Sequence, residues 1–332
     1  MSKNRIVYVA ELGKRAAGLA AVGLNRVFGN RAVGTLGILA YHRAVMPVPG
    51  LPKPTINVPP KQFREQLVGL LDRGFQVWPL RHALQHHARK QPIPPRTVVL
   101  TFDDAYESVY LNAWPILREL RLPATVFVST AYLDDDRPFP FDPWGVAYEH
   151  EAPAETYRPL RSNQCREMAA GGLIELGVHT HTHQDFCGRP DAFQRDLQRS
   201  VDVLQSRFGV SEVTFAFPFG RRGREFPVGE LEAAARRTTV LCGLTTEDVP
   251  VGPNCDPFRW GRFNVYDWDT RQTLAAKLEG WYGWAPKLYD WAACALHSFA
   301  GSRGVPNRGC RRVAFRKRRE CGPVSSAPWS SR

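Results

Sequence analysis

The sequence predicts an α/β fold in which parallel strands are joined by crossover helices, as a barrel or a doubly wound sheet. Three observations predict it. Strand-like apolar runs and helix-like segments alternate about seven times along the chain, the signature of repeated βαβ units. The run Val98-Val99-Leu100-Thr101-Phe102 is β-branched and apolar enough for a buried strand, and it stops at Asp103-Asp104-Ala105-Tyr106. Such a pair at the mouth of a parallel strand stands where ligands and chemistry gather, although one Asp capping the next helix and the other facing solvent would fit the same residues. Finally, 332 residues are enough for one domain of roughly 250 residues with extensions.

The elements follow in order. From Arg5 to Phe28, Val9, Leu12, Ala16, Leu19, Val22 and Val27 recur at helical spacing among Lys3, Arg5, Lys14, Arg15 and Arg26, which predicts a basic amphipathic helix. It would lie on an anionic membrane surface or pack on the body. Residues 34–43 form a short strand ending at His42, followed by a Pro-rich loop to Pro60. A helix opens at Pro60 with Phe63, Leu67, Leu70 and Leu71 on one face, residues 74–77 begin a strand, and Leu80 to Lys90 is helical with His86 and His87 toward solvent. After the Asp pair come a helix from Ser108 to Leu120, a strand from Pro123 to Thr130, and a loop with the aromatic run Pro138 to Trp144. A helix capped by Ser162 leads to the strand Leu173 to Val178 and then to His179-Thr180-His181-Thr182-His183. The helix Phe193 to Phe208, strands at 213–220, 240–245 and 262–265, and helices at 230–237 and 269–280 complete the pattern.

Of the net charge of +12, Gly301 to Arg332 contributes +8, with nine Lys or Arg against Glu320. The basic pI is therefore mostly a property of a solvated, disordered tail over residues 286–332, not of a nucleic-acid surface. Seven scattered cysteines without a CxxC pair read as free thiols of a reducing compartment. No stretch approaches 18 uncharged apolar residues and no convincing signal peptide opens the chain, so a cytoplasmic or peripheral-membrane protein is expected. The domain plan is a helix over 1–33, a catalytic body over 34–285 and the tail.

A metal needs ligands converging from separate segments. His179 and His183 stand four residues apart, able to converge from a helical turn or a tight loop, and Asp104 lies at another strand end. Two imidazoles and a carboxylate suit zinc or another first-row divalent metal; alone, the HxxxH would equally be a polar loop. Phe139, Phe141, Trp144, Trp260, Tyr266 and Trp268 offer rings for sugar stacking or small satellite cores.

These motifs carry a resemblance. Thr101-Phe102-Asp103-Asp104, His179-Thr180-His181-Thr182-His183 after Glu175-Leu176-Gly177, and Phe217-Pro218-Phe219-Gly220 resemble the three motifs of the polysaccharide deacetylase family, carbohydrate esterases with a NodB-type homology domain, over about Leu36 to Gly280. The resemblance implies a distorted (β/α) barrel and metal-dependent removal of acetyl groups from an N-acetylhexosamine-containing glycan or glycoconjugate. It implies Asp104, His179 and His183 as metal ligands, Asp103 as general base toward the attacking water, and the Phe219 amide as oxyanion donor. The family's usual C-terminal Leu-x-His is weak here, at Leu296-His297, whereas Ile38-Leu39-Ala40-Tyr41-His42-Arg43 resembles the arrangement of circularly permuted members and makes His42 the general acid. Ala105 stands where the family has Gly. Ala216 stands where it often has the arginine that orients the base, and Arg262 is the expected substitute. These departures also fit a catalytically inactive glycan-binding protein on the same barrel.

Overall fold

The computed structural model describes residues 3–220 and 229–282. Among the described residues the parallel strands are β1 (Leu36–Tyr41), β2 (Gln76–Val77), β3 (Thr97–Phe102), β4 (Ala124–Val128), β5 (Ile174–Val178) and β6 (Phe263–Asn264). Their order is β5-β4-β3-β1-β6, with β2 paired to the start of β3. β1, β3 and β4 are buried at every residue, as a sheet covered on both faces requires.

The expected strands at 213–220 and 240–245 shrink to single bridges, Val178 with Phe215 and Ala216 with Leu244. Pro218 has no amide to extend the first, and Gly243 in the second leaves room that the Phe217 ring fills, since a Cβ there would lie 2.5 Å from it. The circuit goes on through the Thr245 amide, which donates to the Trp260 carbonyl at 2.8 Å just before β6. The named strands thus form an open arc that isolated hydrogen bonds continue toward a distorted barrel.

Side-chain alternation sorts the strands into two layers. Ile38, Val99, Phe127, Ala216, Leu244 and Trp260 form an inner cluster into which α3 (Leu80–Ala88) inserts Leu80, Ala83 and Leu84. Leu39, Tyr41, Val98, Leu100, Phe102, Val126 and Val128 face outward. They pack against α2 (Pro60–Leu71), α4 (Trp114–Leu120), α6 (Ser162–Ala170) and α7 (Pro190–Phe208). Along β3 this alternation puts Val99, Thr101 and then Asp103 toward the interior.

α1 (Lys3–Phe28) packs on the body, with Ala17 and Ala21 against Ala276, Trp281 and Tyr282, while Leu19, Val27 and Phe28 stay exposed. No helix among the described residues is long and apolar enough to cross a membrane. Several local expectations change. Ser162 is the first helical residue of α6, not its cap; the Asp134 carboxylate instead accepts from both its amide and its hydroxyl, at 2.7 and 2.6 Å. His86 and His87 are half-buried, packed edge-on against Trp78 and Trp260. The aromatic run contains the start of α5 (Pro143–Tyr148). Cys165, Cys187, Cys242 and Cys255 are free thiols, whereas Cys294, Cys310, Cys321, His297 and the tail lie outside the described residues.

Candidate active site

Parallel strands deliver their C-terminal residues to one end, and register decides which of these meet. Tyr41 pairs with Phe102, and the Asp103 amide donates to the Tyr41 carbonyl at 2.9 Å, so His42 and Asp103 leave their strands side by side. Val128 pairs with Val178, and the His179 amide continues that ladder by donating to Val128 at 2.9 Å. His42, Asp103, Asp104, His179, His183 and Phe219 line a single cavity of about 280 Å³.

The loops at this end hold strained backbone. Ten non-glycine residues have positive φ among the described residues, and Ile56, Asp104, Ala105, Thr180, His183 and Phe219 all belong to the site or adjoin it. A left-handed residue with a Cβ costs roughly 1–2 kcal/mol, and such strain concentrates where function fixes geometry. Ala105, where the family resemblance expects Gly, takes φ +70° while buried, so the missing glycine costs stability without diverting Asp104. The His179 to His183 segment is a loop, not a helical turn. Asp196 of α7 pins it by accepting from the amides of His181 and Thr182 and from the Thr182 hydroxyl.

The His179 Nδ1 lies 2.8 Å from the Ala216 carbonyl. A carbonyl only accepts, so the proton sits on Nδ1 and the Nε2 lone pair is free. Burial, foremost, pushes the His179 pKa down to about 4. Its Nε2 lies 3.6 Å from Asp104 Oδ1, and His183 Nε2 lies 3.3 Å from the same oxygen. That oxygen is buried without a hydrogen-bond partner among the described residues, and the three ligand atoms lie within 4.8 Å of one another. An orphaned carboxylate oxygen facing two imidazole lone pairs fits a divalent cation. Phe141 stacks on His183 at 3.8 Å and Phe219 packs edge-on at 5.0 Å, which fixes the ring.

Asp103 is held differently. Arg262 is fully buried and forks onto its two oxygens at 2.6 and 2.8 Å. The guanidinium also donates to the Thr101 hydroxyl and the Thr245 carbonyl, both at 3.1 Å. Burial alone would raise the Asp103 pKa; Arg262, then His179 and His42, outweigh it and hold it below the usual range. Asp103 Oδ2 stands 4.0 Å from His42 Nε2 and 3.9 Å from His179 Nε2. Burial, foremost, also lowers the His42 pKa, against the pull of Asp104 and Asp103. The Phe219 amide donates no hydrogen bond among the described residues.

Sequence reasoning missed the part of the cavity lining made by Arg43, Tyr106 and Asp142. Arg43 Nη2 lies 2.8 Å from both the Tyr106 hydroxyl and Asp142 Oδ2. Their one visible signal was adjacency, since Arg43 follows His42 and Tyr106 closes the Asp-Asp motif. Of the six aromatics offered as a sugar platform, only Phe141 lines this cavity. Phe139, Trp144 and Trp260 are buried, and Tyr266 stacks on Trp268 away from it.

A family model for polysaccharide deacetylases matches residues 90–236. That stretch carries the match to the polysaccharide deacetylase family. The match includes Asp103, Asp104, His179, His183 and Phe219; His42 and Arg262 lie outside it. The poly-beta-1,6-N-acetyl-D-glucosamine N-deacetylase of Staphylococcus aureus is 24% identical over 236 residues, 68% of this chain and 73% of that one. The fold is shared with IcaB from Ammonifex degensii (TM-score 0.59, 24% identity, 74% of this chain and 98% of that one). It is shared also with a de-N-acetylase from Aggregatibacter actinomycetemcomitans (TM-score 0.61, 20% identity, 73% and 99%).

Replacing Arg262 with Met should destabilise the protein by about 3–5 kcal/mol, because a buried carboxylate loses its partner. Asp103→Asn in that background should restore most of the loss by removing the stranded charge. Urea unfolding of the four proteins of this cycle checks it, and purely additive losses would contradict the pairing.

Proposed function

We propose that the chain is a metal-dependent N-deacetylase of an N-acetylhexosamine-containing polysaccharide or glycoconjugate, with residues 34–285 as its catalytic body. The observation that carries this reading is the different company kept by adjacent carboxylates: Asp104 Oδ1 lies within 3.6 Å of two imidazole nitrogens, whereas both oxygens of Asp103 accept from Arg262. Asp104, His179 and His183 would hold the cation, zinc or another first-row metal by their mixed nitrogen and oxygen donors. Such an ion supplies Lewis acidity that polarises an amide carbonyl and lowers the pKa of water.

The chain's own groups supply the proton transfers. Asp103 takes the proton of the attacking water, and the two-pronged Arg262 contact fixes which lone pairs remain free for it. His42, whose Nε2 lies 4.0 Å from Asp103 Oδ2 in the same cavity, delivers a proton to the departing amine nitrogen. β1 and His42 then fill the place of the C-terminal strand and histidine of unpermuted members. The Phe219 amide donates to the oxygen on which negative charge develops. Arg262 does the work of the arginine absent at Ala216, so that departure does not disable the site.

The relative's name makes β-1,6-linked N-acetylglucosamine oligomers the first substrate to try. Acetate release from these, from chitin oligomers and from acetylated sugar-lipids, with metal-stripped protein as control, tests the reading. Asp103→Asn should abolish release while keeping the metal, and His183→Ala should lose the metal. His42→Ala should slow turnover far more than His297→Ala. Full activity of Asp103→Asn, or an unchanged metal content in His183→Ala, would overturn the corresponding role.

The exposed residues of α1 join Leu19 and Val27 with Arg15 and Arg26, the composition of a helix that rests on an anionic membrane surface. On this proposal the protein sediments with anionic vesicles in a salt-sensitive manner, and Leu19→Asp with Val27→Asp releases it; equal sedimentation of that variant would refute the contact.

A further inference from the structure

We infer that Asn264 is a specificity-determining residue whose side-chain amide hydrogen-bonds a ring hydroxyl of the sugar unit being deacetylated. The inference rests on the N-deacetylase reading of the same cavity, which Asn264 lines together with His42 and Asp103.

The strand places the amide there. Phe263 and Val265 belong to the outward layer, so alternation turns Asn264 inward. It follows Arg262 on that inner side, and Arg262 already reaches Asp103. Asn264 pairs with Ala40, and Ala40 pairs with Thr101; two residues further along these strands stand His42 and Asp103. Ala40 therefore opposes the amide with nothing larger than a methyl group. The backbone is held from both sides. The Asn264 carbonyl accepts from Lys277 Nζ at 3.1 Å, Asp269 fixes that ammonium at 2.7 Å, and the Val265 amide donates to Ala40 at 3.0 Å.

The side chain, by contrast, makes no hydrogen bond among the described residues. Asn264 is half-buried, and neither its Oδ1 nor its Nδ2 is among the sealed side-chain atoms that lack a partner. Both atoms are thus open to a group the size of water. The amide is neutral and offers one acceptor oxygen and two N–H donors, which suits a neutral ligand group that both donates and accepts. Hydroxyls are the groups of that kind on a sugar ring. A cavity of about 280 Å³ falls just below the roughly 300–1,000 Å³ of small-molecule sites, room for one ring. The hydroxyl therefore belongs to the unit that carries the acetamide.

An Asn264 that is merely solvated would be indifferent to which hydroxyls a ligand carries, and substrate analogues separate the two roles. Binding is measured with Asp103→Asn protein, in which turnover is blocked, for short β-1,6-linked N-acetylglucosamine oligomers and for analogues lacking the 3- or the 4-hydroxyl. Loss of one of these hydroxyls should weaken binding by about 3- to 10-fold, the worth of a neutral hydrogen bond. The same loss should cost almost nothing once Asn264→Ala is added. Because the side chain has no partner in the protein, Asn264→Ala should also keep its melting temperature within about 2 °C. Deoxy and Asn264→Ala losses that simply multiply would overturn the inference, as would two analogues that both bind like the parent. Should Asn264→Ala unfold, Asn264→Ser, whose hydroxyl stops short of the amide's reach, carries the same comparison. Binding is the readout, so a protein that binds these sugars but releases no acetate would fail as a deacetylase while still deciding the role of Asn264. Failure of the parent oligomer to bind would overturn both.

Discussion

The site depends on one buried ion pair, Arg262 with Asp103. Two charges taken from water cost several kcal/mol each unless geometry and further hydrogen bonds offset the loss. Here both carboxylate oxygens are engaged, and the guanidinium also meets Thr101 and Thr245. The arrangement needs Thr101 and Asp103 on the inner face of β3, which alternation from Val99 supplies. It also needs the segment before β6 close enough to the Leu244 bridge for Arg262 to reach across. The cost of burying charge is thus met by the barrel itself, and Asp103 is oriented by the same contacts that hold the circuit together.

The neighbouring carboxylate obeys a different constraint. Asp104 leaves the strand in a left-handed turn shared with Ala105, which aims its Oδ1 at two imidazoles instead of continuing the alternation. Thr180, His183 and Phe219 are left-handed too, so the cavity is ringed by backbone that the fold must hold in place. The Asp196 contacts to the His181–Thr182 loop and the Phe141 stack on His183 do that holding. Adjacent residues of identical type acquire different partners because one keeps the strand's geometry and the other breaks it.

Much of this was legible in the sequence. The alternation of apolar runs with helical periodicity gave the parallel architecture, and the Asp pair and HxxxH segment marked the strand ends. The motifs' resemblance to a known family implied separate roles for Asp103 and Asp104. Arg262 could be named because a missing arginine at Ala216 required a substitute near a strand start, and the structure places it on Asp103. Other features were hidden for physical reasons. The runs 213–220 and 240–245 have strand composition, but Pro218 and Gly243 reduce their pairing to bridges, and no local pattern reveals how far a ladder extends. The capping of α6 by Asp134 is tertiary. Which aromatics reach the cavity depends on loop paths, so Phe141 could not be told from Phe139 or Trp144. The part of the lining made by Arg43, Tyr106 and Asp142 joins three separate segments of the chain, and only the folded protein brings them together.

The most direct test of the account is the position of the metal relative to the two carboxylates, read from anomalous scattering at the metal's absorption edge in crystals of the metal-loaded protein. The account predicts one peak bound by Asp104 Oδ1 and by the Nε2 atoms of His179 and His183, with Asp103 outside the coordination sphere and still forked by Arg262. A peak bound by Asp103, or a metal that leaves either imidazole unbound, would contradict it.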